Sequence, residues 1–251
     1  KHNECIDLAI ENLKPAFVEA SVILEGLDAL NEKAKSTGVL IAPSCTFRFH
    51  PAAKIIKDIV ASGKYGRITN FSYHLGQYLP DWHPWENLSE SYFGKKEMGG
   101  AREMVAFELT WLTGITGLPR KINGLYGKTM NLGVDIDDTY AMALGFDQAF
   151  GSLLIDVTSR YVIRSLILNL EEGQVIWRWE DPVVKLYQAS TKTRQDIALP
   201  QGKVAHGYNP HIIEDMYIDE MKAFTEAVQG RAPFPNTLDD DIKILKILNE
   251  V

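Results

Sequence analysis

Between Lys121 and Ser190 the chain passes through strand after strand with almost no room between them. The stretches "KINGLYGKT", "DTYAMALGFD", "GSLLIDVTSRYV", "RSLILNLEEGQVIWRWE" and "VVKLYQAS" have strand length and composition, and the links "DQAFG" and "EEG" are of hairpin length. Links that short cannot carry a crossover, so the chain must build a mainly antiparallel sheet with one open face. The first 45 residues follow a different grammar of helix, strand, helix, strand. "NECIDLAIENL" and "LEGLDALNEKAKSTG" carry helical spacing, the second stopping at Gly38, and they alternate with the apolar runs "AFVEA" and "VLIAPSC". Apolar strands alternating with helices indicate a parallel sheet covered on both sides. The expected fold class is therefore a partial parallel α/β unit followed by an α+β domain, its open sheet flanked by helices. The helix "PAAKIIKDIVASG" and the alternating "RITNFSYHLGQYL" lead into that second domain. Helices at 211–229 and 238–250 close the chain.

With 251 residues, the chain can bury a full core. A net charge of −7 argues against nucleic acid as the main partner, because phosphate binding needs a basic surface. No apolar run reaches membrane-spanning length, and the two cysteines, Cys5 and Cys45, have neither disulfide-framework nor zinc spacing. A cytoplasmic protein without a bound metal is the expectation. Two parallel strands are not viable alone, and no G-x-G occurs anywhere in the sequence. If residues 1–45 belong to a dinucleotide-binding unit, its phosphate-cradling turn lies before Lys1.

Several motifs in this order resemble the Gfo/Idh/MocA family of nicotinamide-dependent oxidoreductases. "AIENLKPAFVEA" resembles the family's stretch ending in Glu-Lys-Pro, and "GVLIAPSCTFRFHPAAKIIKDIVASGKYGRITNFSYHLG" its next strand, Arg-Phe-x-Pro turn and following helix. "MGGAREMV" resembles the glycine-rich approach to the catalytic helix, "DIDDTYAMALGF" and "GSLLIDVTSRY" the sheet strands, and "MYIDEMKAFTEAVQG" the late helix. The resemblance implies a Rossmann-like dinucleotide-binding part at 1–50, a substrate and oligomerisation domain at 51–236, and a C-terminal helix at 237–251 packing back on the first part. It implies NAD or NADP as cofactor and hydride exchange with a sugar, nucleotide-sugar or cyclitol. It also implies a homo-oligomer formed through the open sheet, with no nucleic acid or membrane partner. The family's proton-transfer pair is a lysine and a histidine. Aligning "FVE" puts Glu19 on the family glutamate, Ala20 on the lysine and Ser21 on the proline; the alternative makes Lys14-Pro15 the Lys-Pro pair. The family histidine falls on Phe107 or Glu108. Loss of the usual pair keeps two other readings open, a non-catalytic binding or assembly subunit and a lyase or epimerase that recycles bound NAD.

Glu108 stands out without any resemblance. In "GGAREMVAFELTWLTGITG" it falls inside the apolar arc of Met104, Val105, Phe107, Leu109, Trp111, Leu112 and Ile115. A carboxylate there must be paired, protonated or facing a wet cleft, and desolvation suits a general acid or base. Glu103 falls on the polar edge as a helix-start carboxylate, and Arg102 beside it suits a substrate carboxylate or phosphate, or a nearby acid. The aromatic, hydroxyl-rich loop "YLPDWHPWENLSESYFGKK" has the chemistry of a sugar site: Trp82 and Tyr92 for ring faces and hydroxyls, His83 as proton shuttle. Asp156, Thr158 and Arg160 alternate onto one strand face, and Arg160 is the one able to reach a ligand. Glu19, Cys45 and Arg48 follow strand ends where a cofactor would lie. Asp137 and Asp138 read as turn caps.

Overall fold

The computed structural model describes residues 2–82, 84–204 and 213–251, and it divides into two compact units. The first comprises Lys1–His50, Ala106–Trp111 and Gly202–Asn249. Its helices are α1 (His2–Glu11), α2 (Leu27–Thr37), α5 (Glu214–Val228) and α6 (Leu238–Asn249), around strands β1 (Ala16–Val18) and β2 (Ile41–Pro43). The strands are parallel, with Ala16 opposite Ile41 and Val18 opposite Pro43. α2 stops where the sequence requires. Gly38 takes the left-handed conformation (φ 70°), and its N–H closes onto the last carbonyls of the helix. Phe17, Phe224 and Phe234 form an aromatic triangle with centroid separations of 5.8, 6.2 and 6.4 Å, packed around buried Ala42 and Cys45.

The second unit comprises Pro51–Val105, Leu112–Gln201 and Glu250–Val251. It holds α3 (Pro51–Ala61), both ends of α4 (Ala101–Thr116), and strands β3 (Ile68–Tyr78), β4 (Lys121–Gly127), β5 (Thr139–Gly145), β6 (Phe150–Asp156), β7 (Thr158–Leu170), β8 (Gly173–Arg178), β9 (Val183–Gln188) and β10 (Thr193–Ala198). These eight strands form one sheet in the order β10-β9-β8-β7-β3-β6-β5-β4. All pairs are antiparallel except β3 with β6. A mainly antiparallel open sheet follows a small parallel α/β unit, as the strand grammar requires.

Two strands depart from the sequence reading. "GSLLIDVTSRYV" is two strands, broken at Val157, and β3 is inserted between them. Val157 donates its N–H to Asp138 and accepts from Leu79, so the link crosses the end of β3. The crossing needs a glycine. A Cβ on Gly76 would lie 2.4 Å from Ser159 Oγ and 2.8 Å from Asp156 Oδ2. Because of this break, Asp156, Thr158 and Arg160 form no strip on one strand. β10, an edge strand with no buried residue, carries no apolar pattern by which to find it.

One face of the sheet buries Phe71, Tyr73, Leu75, Leu153, Ile155, Leu166, Leu168 and Trp177. The opposite face leaves Leu125, Phe150, Leu154, Ile167 and Tyr187 exposed. A trough of ≈ 710 Å³ on that open face is lined by small residues, among them Ser72, Ala141, Ala143 and Ser152. Among the described residues, no helix is long and apolar enough to cross a membrane.

Candidate active site

In the first unit the expected cofactor-side residues gather at the C-terminal ends of β1 and β2. β2 runs into a 3-10 turn, Thr46–Phe49. Ser44 donates its N–H to Val18 at 2.7 Å, which joins the two strand ends. Cys45 is 4% exposed, and burial pushes its thiol well above the usual range. A neutral, buried thiol of this kind is a packing group rather than a nucleophile. Arg48 donates Nε–H to the Thr110 carbonyl of α4 at 2.8 Å, which ties the turn to the helix carrying Glu108. Phe47 stacks on His50 (4.7 Å) and meets Trp111 at 5.2 Å. His50 is thereby held as a packing residue.

Glu108 is 2% exposed, and its Oε2 accepts the Trp111 indole N–H at 2.7 Å. Of the three options open to a carboxylate in an apolar arc, hydrogen bonding within the interior is the one observed. The segment from Val105 to Leu112 is buried on nearly every side, Thr110 and Ala106 included, so the polar side drawn by the helical wheel does not face water here.

Two acids that the sequence reading passed over complete this edge. Glu220 of α5 is 2% exposed and accepts Cys45 N–H at 2.5 Å, Ser44 Oγ at 3.2 Å and Thr46 Oγ1 at 2.5 Å. Asp241 of α6, 3% exposed, accepts Ser21 N–H at 2.8 Å and Asn236 Nδ2 at 2.9 Å. The Ser21 hydroxyl also donates to it, yet burial outweighs all three donors and pushes the Asp241 carboxyl up to about 6. Both acids carry the sequence signal that exposed Glu108, an acidic residue at core spacing: Met216, Glu220 and Phe224 on one helix, Leu238, Asp241 and Leu245 on the other. Glu19 lies just past β1, exposed. The protein around its carboxyl raises its pKa, and the charge of Glu220 adds to that.

The expected substrate-side residues lie in the second unit. Tyr92, half exposed, donates its hydroxyl to Glu103 Oε1 at 3.1 Å. Glu103 is buried (5% exposed), not on a wet polar edge, because the 92–94 turn covers the start of α4. Arg102 donates Nε–H to the Glu97 carbonyl at 3.1 Å and hydrogen-bonds the buried Tyr140 phenol. Burial raises that phenol, and the Arg102 charge pulls the other way. Trp82 packs against Phe93 at 6.4 Å, and its indole nitrogen is buried with no hydrogen-bond partner among the described residues. Arg160, exposed, lays its guanidinium 3.7 Å from the Tyr78 ring centroid. On the covered face of the sheet, Arg164 stacks 4.8 Å from the Trp179 ring and donates Nε–H to Tyr73 at 3.1 Å, an arrangement with no local sequence signal. His83 lies outside the described residues.

The remaining buried acids have structural duties. Asp138, fully buried, accepts from the backbone of Thr129 and Met130 and from the hydroxyls of Thr129 and Thr139, a turn cap. Asp156 accepts His74 Nε2–H, the backbone N–H groups of Thr158 and Ser159, and both their hydroxyls. Burial pushes its carboxyl up, but these donors prevail and bring it down to about 2. Among the described residues no group of three or more His, Cys, Asp or Glu is placed to hold a metal ion.

No known family model matches the chain, and no curated protein matches it in sequence. Solved structures do match. An oxidoreductase from Agrobacterium radiobacter, in complex with NAD+, L-tartaric acid and magnesium, aligns with a TM-score of 0.83 at 13% identity, over 99% of this chain and 72% of that one. Levoglucosan dehydrogenase in complex with NADH aligns at 0.81 and 17%, over 99% and 73%. Its complex with NADH and L-sorbose aligns at 0.81 and 18%, over the same shares. At these identities the likeness is one of fold. The chain has the fold of oxidoreductases solved with nicotinamide cofactors.

Proposed function

We propose that the chain is a Gfo/Idh/MocA-type oxidoreductase that exchanges a hydride between NAD or NADP and a hydroxyl or carbonyl carbon of a sugar, nucleotide-sugar or cyclitol. The observation that carries this reading is the gathering of Arg48, Cys45, Glu19 and the Glu108 helix at the C-terminal ends of β1 and β2, where ligands of parallel α/β sheets bind. The fold shared with NAD-bound enzymes supports it, one of them solved with L-sorbose.

The donor set at this edge suits the nicotinamide end of a dinucleotide: a rigid turn, the Arg48 charge and buried carboxylates. Nothing in the chain is a glycine turn for the pyrophosphate. When bound, the cofactor accepts or supplies the hydride. The protein's part is to orient the reacting carbon, keep water out and move the hydroxyl proton. In this reading Glu108 holds that proton, and the Trp111 indole fixes the carboxyl in place; His83 is the other candidate for the role. Trp82, Tyr92, Arg102, Glu103 and Arg160 bind the substrate. The first unit binds the cofactor, the second binds the substrate, and the exposed apolar face of the sheet pairs with a second copy.

The test is reduction of NAD+ and NADP+ by the protein across a panel of sugars, nucleotide-sugars and cyclitols, with cofactor binding followed by tryptophan fluorescence. We expect turnover on at least one member and a loss of about 100-fold in Glu108→Gln, the scale of a lost general acid–base group. Binding of neither cofactor and no turnover across the panel would overturn the reading. Binding without turnover, unchanged in Glu108→Gln, would instead favour a non-catalytic subunit.

A further inference from the structure

Segments far apart in the chain are linked, contact by contact, to the Glu108 carboxyl. The last link is local. Trp111 lies one helical turn beyond Glu108, and its indole N–H reaches back to Oε2 at 2.7 Å. Both side chains are buried, so the protein around them sets where the carboxyl points. The indole is itself held from outside the helix. Phe47 meets the Trp111 ring at 5.2 Å with 50° between the planes, and His50 backs Phe47 in a parallel stack at 4.7 Å. Arg48 donates Nε–H to the Thr110 carbonyl at 2.8 Å and Nη1–H to the Pro235 carbonyl. Two neighbouring residues of the 46–49 turn thus grip two neighbouring residues of α4. The turn hangs in its own right on α5. Glu220 accepts the Ser44 hydroxyl, the Cys45 N–H and the Thr46 hydroxyl, on the three residues that lead into Phe47.

We propose that Arg48 and Phe47 are positioning residues for Glu108, with Glu220 as the anchor of the turn that carries them. A group that moves a proton must be held within about 0.5 Å of its productive place, by neighbours that are themselves locked. Without the Phe47 ring, the indole can leave the rotamer that reaches Oε2. Without Arg48, the turn of α4 at Thr110 can shift against the strand ends. Arg48 Nη2 makes no hydrogen bond among the described residues, so the holding role leaves its charge available to a cofactor. That Glu108 moves a proton rests on the oxidoreductase reading above; that the turn aims its carboxyl does not.

The experiment follows the Trp111 indole N–H in nitrogen–proton NMR spectra of the whole chain, its signal picked out among the five tryptophans by Trp111→Phe or through bonds in labelled protein. Glu108→Leu, which removes the acceptor, gives the position of the signal without this hydrogen bond. We expect the signal to move part of the way there in Arg48→Met, which removes the donors, and in Phe47→Leu, which removes the ring. Arg48→Lys, whose single ammonium cannot hold both carbonyls, is the milder change should Arg48→Met fail to fold, and should move the signal less in the same direction. Glu220→Ala should also move it, and Glu220→Gln, which keeps an oxygen for Cys45 N–H and an amide for Thr46, should restore it. A signal that stays put in the Arg48 and Phe47 variants overturns the positioning role. One displaced equally in Glu220→Gln and Glu220→Ala overturns the anchor.

Turnover, where found, gives a second readout that packing alone would not move. Phe47→Leu should lower kcat about 10-fold with substrate KM little changed, the sign of a misplaced reacting group. The same change made in Glu108→Gln should cost about twofold or less, because residues that act as a unit do not add. Equal losses in both backgrounds would show that Phe47 acts independently of Glu108 and would overturn the role. Absence of turnover in the wild type would sink the oxidoreductase reading and leave the positioning to be decided by the indole signal.

Discussion

Asp156 and Asp241 are both buried, one in each unit, yet they are driven in opposite directions. Asp156 is 6% exposed and is brought down to about 2; Asp241 is 3% exposed and is pushed up to about 6. Burial favours the neutral acid in both. What differs is how deeply each carboxyl is desolvated, Asp241 the more, and how many donors meet it. Asp156 collects five, one of them an imidazole, where the chain folds back on itself at Val157. Asp241 collects three, the N–H and hydroxyl of Ser21 and the amide of Asn236. A buried carboxylate is a structural anchor when a turn delivers enough N–H and O–H groups to it, and a strained, titratable group when it does not.

The largest effect should come from removing the anchor. Asp156→Ala leaves five donors facing a void across the junction of β3, β6 and β7, and should cost about 3–5 kcal/mol, as loss of a buried hydrogen-bonded charge does. Urea unfolding at neutral pH measures it; a cost under about 1 kcal/mol would mean that the hub is incidental. The charge-dependent part has a definite pH sign. Because the folded-state carboxyl lies below its ordinary 3.8, its contribution of about 2 kcal/mol is present in full above pH ~4 and is lost as pH falls through ~2.

Asp241 should behave in the opposite way. Its folded-state carboxyl lies above 3.8, so the folded protein holds a proton that the unfolded chain has already released. Stability from this group is therefore highest below pH ~4 and falls by about 3 kcal/mol as pH rises through ~6. Asp241→Asn removes that dependence. Its amide oxygen can still accept Ser21 N–H, and Asn236 can turn its own oxygen toward the new amide. Measured against the wild type, the variant should gain about 1–3 kcal/mol between pH 4.5 and pH 7.5. A variant equally offset at both pH values would show that Asp241 titrates normally and would erase the contrast with Asp156.

The same contrast separates what the sequence could reveal from what it could not. Composition and spacing located the helices and their stops, as at Gly38, because those depend on local chemistry. They also revealed acids at core positions. Glu108 was visible on a wheel, and Glu220 and Asp241 carry the same pattern. What a wheel cannot show is the partner. The donors to Glu220 and Asp241 are mainly backbone N–H groups and hydroxyls from segments far along the chain, and every residue has such an N–H. The burial of Glu103 is hidden for a related reason: whether the start of α4 is wet depends on where the 92–94 turn falls. The insertion of β3 was hidden because Val157 continues the apolar alternation of β6 into β7, so a crossing reads as one strand. β10 was hidden because an exposed edge strand has no face to bury.

A smaller effect should come from Gly76, where the chain approaches Asp156 most closely. A Cβ at this position would lie 2.4 Å from Ser159 Oγ, 2.8 Å from Asp156 Oδ2 and 2.9 Å from Ser159 Cβ. Gly76→Ala should therefore cost about 1–3 kcal/mol by crowding the hub. Ser159→Ala removes only the hydroxyl that reaches Asp156 at 3.1 Å, leaves the other four donors in place, and should cost about 1 kcal/mol. The two should not add. With the hydroxyl gone, the nearest clash of the new methyl disappears, so the double variant should be more stable than the sum of the singles by about 0.5–1 kcal/mol. The coupling would come from relief of crowding around a carboxylate that still keeps most of its donors. Strict additivity in a urea double-mutant cycle would mean that the sheet absorbs the methyl elsewhere, and that the five-donor geometry is looser than the contrast with Asp241 requires.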